Sequence, residues 1–91
     1  MTLNDRELDA IERRWEACSP GPWRAMVEGR DHMSGDSFIM TGGEAERGED
    51  IYVIVGSKPA PPADLDFIAG AHEDIPRLLA EIRRLRSRAC G

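Results

Sequence analysis

Ninety-one residues, 41% hydrophobic and 32% charged, form an ordinary water-soluble composition and one domain rather than a disordered chain. A chain of this length buries only about two-thirds of its unfolded surface, so the core is thin and self-association would help it. No apolar run approaches the roughly 20 residues needed to span a bilayer. The opening MTLNDRELDA lacks the basic and apolar regions of a signal peptide, so a cytoplasmic location is expected.

The net charge of −5 is unevenly spread. Residues 1–18 carry −2, residues 19–74 carry −7, and residues 75–91 carry +4. An acidic body argues against general affinity for nucleic acid, because it repels phosphates. It leaves room for a compact anion held by a few arginines. Cys18 and Cys90 have no histidine at metal-ligand spacing, and both are expected to be free thiols without a role.

In LNDRELDAIERRWEA, Leu3, Leu8, Ile11 and Trp15 recur at helical spacing with charge opposite, predicting a helix over residues 1–18. Asn4 or Asp5 can cap it, and SPGPW stops it. WRAMVEG, SFIMTG and DIYVIVGS then read as three strands of an antiparallel meander over residues 23–56. The third, Ile51–Val55, is apolar on both faces and is expected to be central or covered.

KPAPPAD reads as a stiff connector. In DFIAGAHEDIPRLL, Asp64 is expected to cap a short helix that weakens at Gly70 and His72. Asp74 is expected to cap a second, with Ile75 and Pro76 in its first turn and an apolar stripe of Leu78, Leu79, Ile82 and Leu85. Residues 64–88 thus predict two helices forming a corner. The expectation is a single α+β domain over residues 1–91.

No catalytic constellation is visible: HExxH, GxSxG and phosphate-loop motifs are all missing. His32 and His72 are expected to be surface or capping residues. TGGE reads as a turn, and the pairs Asp64/Asp66 and Glu73/Asp74 suit helix starts. Trp15 and Phe67 are expected to pack in the core. Trp23, after a rigid Pro-Gly-Pro turn, is either core or a platform for stacking a base.

The arginines say more, numbering eleven against one lysine. On a helix Arg77, Arg84 and Arg88 fall near one edge, with the last two a turn apart. Two guanidinium forks at that spacing can hold a diphosphate. The alternative is a solvated face that complements the helix C-terminus.

Taken together, SPGPW and DFIAGAHEDIPRLLAEI resemble small proteins of tailed phages and prophages, the Ead-type phage proteins. More distantly they resemble Thoeris anti-defence sponges that capture cyclic ADP-ribose signals. The resemblance covers about the first 23 and last 28 residues and leaves the middle unmatched. It implies an oligomeric β-sheet protein with C-terminal helices that binds a nucleotide-derived immune signal at protomer boundaries without cleaving it. His72 departs from the pattern, standing where many relatives carry arginine. The closest matching positions are Arg84 and Arg88. With Arg77, Trp23 and Tyr52 they make the candidate ligand-binding set, with no cofactor, metal or catalytic residue assigned.

Three functions therefore stand open. One is sequestration of a cyclic nucleotide or cyclic-ADP-ribose-type signal by a homo-oligomer. Another is inhibition of a host defence protein through the acidic segment Glu44, Glu46, Glu49 and Asp50. The third, an enzyme acting on such signals, has no catalytic set behind it.

Overall fold

The computed structural model describes residues 2–90 and is α+β. Helix α1 spans Asp5–Ala17, strands β1 and β2 span Trp23–Met26 and Phe38–Thr41, and β3 and β4 span Ile54–Val55 and Lys58–Pro59. Helix α2 spans Pro62–Cys90, 29 residues or about 43 Å at 1.5 Å per residue. It sets the long dimension of a molecule measuring 54 × 32 × 21 Å. Among the described residues, no helix is long and apolar enough to cross a membrane.

α1 begins as its sequence dictates. The Asn4 side chain accepts from the Glu7 N–H at 2.8 Å, and Asp5 and Glu7 place negative charge at the positive end of the helix dipole. Leu8 is fully buried, which stabilises the fold by about 1.5–3 kcal/mol.

β1 and β2 pair antiparallel, with Ala25 opposite Ile39 and Trp23 opposite Thr41. Ala25, Val27 and Ile39 form the core with Ala60, Leu65 and Ala69, so α2 lies across this ribbon. Thr41 is buried but satisfied, its Oγ1–H donating to the Glu49 carbonyl at 2.7 Å. The loop between the strands is clipped to α2 by Arg30, which donates twice to the Asp66 carboxylate at 2.9 Å.

The three-stranded meander does not form. Ile51 exchanges both backbone hydrogen bonds with Ile39 at 2.8 Å, but that single bridge is all the third segment adds to β2. The chain then peels away at Ile54 into a hairpin with Lys58–Pro59, turning through Gly56, whose φ of 67° suits a tight two-residue turn. Ile54 and Val55 are therefore exposed rather than central, while Ile51 and Val53 pack partly on the core.

The predicted corner at residues 70–76 is also absent, and α2 runs through it unbroken. Its first hydrogen bonds run from Asp64 and Leu65 N–H to the Pro61 carbonyl, so Asp64 sits inside the first turn rather than at the cap. Pro62 opens the helix without wasting a donor. Pro76 removes the bond its N–H would have made to the His72 carbonyl, four residues back. That carbonyl accepts instead from the Trp15 indole N–H at 2.9 Å. A tertiary donor repairs the break, so the helix has no reason to end.

The C-terminal half of α2 runs antiparallel to α1. Arg83 donates to Asp9 and Glu12, each at 3.0 Å, and Arg86 reaches Asp5 and the Leu3 carbonyl. The stripe expected on this half divides between two faces. Leu79 is buried and Ile82 half-buried, but Leu78 and Leu85 point to solvent, as does Phe67 one turn into the helix. Phe67 was expected in the core. At 76% exposure it belongs to the outer face, because the ribbon beneath is only two strands wide and Leu65, Ile68 and Ala69 already cover it.

Trp15→Phe strands the His72 carbonyl and should cost about 1–3 kcal/mol beyond lost packing. In a Pro76→Ala background the restored N–H can reach that carbonyl, so the same substitution should cost roughly 1 kcal/mol less. Urea unfolding of the four variants measures the difference. Strict additivity would show that the indole does not repair the helix.

Candidate functional site

The SPGPW turn carries the chain from the end of α1 into β1 and lays it against residues 72 and 73 of α2. Gly21 is required there by space. A Cβ at this position would stand 2.8 Å from His72 Cε1 and 3.1 Å from Glu73 Oε2. Trp23, two residues on, stacks face to face on His72, with ring centroids 4.2 Å apart and planes 5° from parallel. Trp15 approaches the same imidazole at 5.5 Å.

His72 is thus enclosed between two indoles and only 7% exposed, not a surface or capping residue. Its Nδ1–H donates to Glu73 Oε2 at 2.7 Å, since a carboxylate can only accept. The same oxygen accepts from the Trp23 backbone N–H at 3.0 Å. Burial pushes the Glu73 carboxyl up, but these two donors outweigh it and hold it below its ordinary value of 4.5. One carboxylate oxygen therefore ties the turn, the first strand and α2 together.

Beside this cluster lies a cleft of about 450 Å³ between α1, Trp23 and α2. Ile11, Trp15, Ile68, Ala71 and Ile75 make it mostly apolar, and Arg14 and Cys18 stand at its edge. Its volume is within the range of about 300–1,000 Å³ common for small-ligand sites. The residues around it can hold a flat apolar group; the Cys18 thiol donates to the Trp15 carbonyl and the His72 Nδ1–H to Glu73, so neither is engaged with the other. Among the described residues, no group of three His, Cys, Asp or Glu side chains is placed to hold a metal ion.

Of the five residues singled out from the sequence, only Trp23 borders this cleft. Tyr52 is exposed and packs against Phe38, ring centroids 5.5 Å apart and planes tilted by 36°, on the other side of the ribbon. Arg84 and Arg88 lie about 18 and 24 Å along α2 from His72. Arg77 is nearer in sequence but largely exposed to solvent, 3.7 Å from Asp74. One copy of the chain does not bring these five into a common pocket.

The arginines nevertheless divide into two sets. Arg83 and Arg86 are bound to α1 through Asp9, Glu12 and Asp5. Arg77, Arg84 and Arg88 face outward and, among the described residues, pair at most with acids of their own helix. Arg84 holds Glu81, which raises the guanidinium and lowers the carboxyl, and Arg88 has no ion pair among the described residues.

Sequence reasoning missed the Trp15–His72–Trp23–Glu73 cluster. A signal for it did exist, because Pro76 leaves the carbonyl of residue 72 in need of a donor.

Gly21→Ala should destabilise the protein by about 1–3 kcal/mol, since the imidazole behind it is fixed between two indoles and cannot retreat. Glu73→Gln should cost stability at neutral pH. The depressed carboxyl of the native protein stabilises the fold above its ordinary value of 4.5 and loses that contribution as pH falls. The gap between native and variant melting temperatures should therefore narrow below about pH 4.5. A gap constant from pH 7 to 3 would exclude the charged carboxylate as the stabilising species. Comparison with protein-family models, curated proteins and solved structures finds no match to this chain.

Proposed function

We propose that the protein is a non-catalytic binder that sequesters a compact, phosphate-bearing signal of the cyclic nucleotide or cyclic-ADP-ribose type. The observation that carries this reading is the division of the arginines on α2. Two of the five serve the fold by holding α1, and three stand outward on one edge, among them Arg84 and Arg88, the positions that match the sequence resemblance. Arginine forks suit phosphate oxygens, and their partners Asp74 and Glu81 are exposed acids that exchange readily for a more highly charged ligand. Tyr52 offers an open ring for stacking a base, whereas Trp23 already has one face against His72. Because these groups are spread over one copy, the reading places the site at a boundary between copies.

A second reading rests on the loop after β2, where Glu44, Glu46 and Glu49 are all exposed. Such a surface suits a basic protein partner, as an inhibitor of a host defence factor would require. Arg47 partly cancels it by holding Asp50 at 2.9 Å, so the sequestration reading comes first.

Thermal unfolding in the presence of cyclic ADP-ribose isomers and of cyclic di- and trinucleotides tests the first reading. A ligand at a hundred times its dissociation constant stabilises by about 2.7 kcal/mol, or roughly 10–20 °C for a domain of this size. The shift should vanish in Arg84→Ala/Arg88→Ala and persist in Arg86→Ala, which lowers only the baseline. No shift with any of these ligands, with binding of a host protein lost on neutralising Glu44, Glu46 and Glu49, would favour the second reading.

A further inference from the structure

Phe67, Leu78 and Leu85 are 76, 57 and 51% exposed, an unusual amount of large apolar surface for a single helix face. At about 100° per residue the three fall within roughly 20° of one line. With Ala71, Asp74 and Glu81 they follow an alternating four- and three-residue spacing, the repeat that lets two helices pack side by side. Asp74 and Glu81 bring no unpaired charge to this line, since Arg77 and Arg84 accompany them. The core-facing line of Leu65, Ala69, His72, Pro76 and Leu79 is separate, so Pro76 and its repair by Trp15 lie away from this face.

The charges along α2 say what covers it. From Pro62 to Pro76 the helix carries four acids and no lysine or arginine, of which Asp66 is held by Arg30, and from Arg77 onward five arginines and one acid, of which Arg83 and Arg86 are taken up by α1. A second copy laid parallel would set acid against acid and arginine against arginine. Laid antiparallel, it sets the arginine end of each helix beside the acidic end of the other. The same reversal brings Leu85 of one copy to Phe67 of the other. There a hollow of about 300 Å³, bordered by Phe67, Gly70, Ala71 and Asp74, is open to receive a side chain. Nothing stands within 4 Å of where a Gly70 Cβ would be, so the space beside this residue is open.

We infer that α2 pairs antiparallel with α2 of a second copy through Phe67, Leu78 and Leu85, about a two-fold axis near Pro76–Leu78. Arg77, Arg84 and Arg88 of both copies then flank the seam along one side. This supplies the boundary that the sequestration reading uses, but it rests on the face alone and stands or falls without a ligand.

Sedimentation of the free protein should show a dimer at micromolar concentration. Leu78→Asp, at an exposed position, should leave the helical circular dichroism intact and weaken the dimer at least a hundredfold. Direction is tested in a Cys18→Ser/Cys90→Ser background with a short bis-maleimide. Chains carrying Phe67→Cys should crosslink to chains carrying Leu85→Cys, and neither should crosslink to itself, because like positions lie about 27 Å apart in an antiparallel pair. A monomer at 100 µM, a dimer indifferent to Leu78→Asp, or efficient self-crosslinking at both positions would each overturn the inference. A dimer of this geometry that binds no nucleotide would remove the sequestration reading and leave this one intact.

Discussion

The hydrogen bond from the Trp15 indole to the His72 carbonyl decides the shape of this molecule. It exists because Pro76 cannot use that carbonyl, and it lets one helix run through a proline that would otherwise end it. The same residue is held on its other side by Trp23 and Glu73, so the turn between α1 and β1 is seated at the point where the helix is repaired. Helix continuity, the path of α1 and the start of β1 meet at one junction, where losing the Trp15 indole or the Glu73 carboxylate leaves polar groups without partners.

A continuous α2 has a second consequence. A corner would have folded the C-terminal half back over the ribbon, and its leucines would have found cover there. As one continuous helix it outruns the small ribbon, and α1 covers only one side of it. Leu78 and Leu85 are left outside for that reason, together with Phe67. The thinness expected of a short chain thus takes a specific form, an apolar line on the longest element rather than a diffuse deficit of core.

The arginines follow the same division. Those turned toward α1 are spent on its acids, and those turned away pair, among the described residues, only with acids of their own helix. Spacing alone put Arg77, Arg84 and Arg88 on one edge, and the fold makes that edge the outward one. Spacing could not separate Arg83 and Arg86 from them in purpose, because nothing local announces that α1 returns alongside.

Local chemistry was sufficient for α1, with its Asn4 cap and buried Leu8, and for the pairing of WRAM with FIMT, whose short apolar runs and intervening turn admit little else. It also settled the α+β class. It could not settle whether Asp74 and Pro76 begin a helix or interrupt one, since both signals are identical over four residues. The answer lay with Trp15, nearly sixty residues earlier, whose indole satisfies the freed carbonyl. Nor could it place Phe67 or Ile54 and Val55, because exposure depends on how much surface the neighbouring elements supply. Propensity and capping act within a turn or two of the chain. The continuity of a proline-bearing helix and the face it leaves open depend on donors and surfaces that only the folded chain brings near.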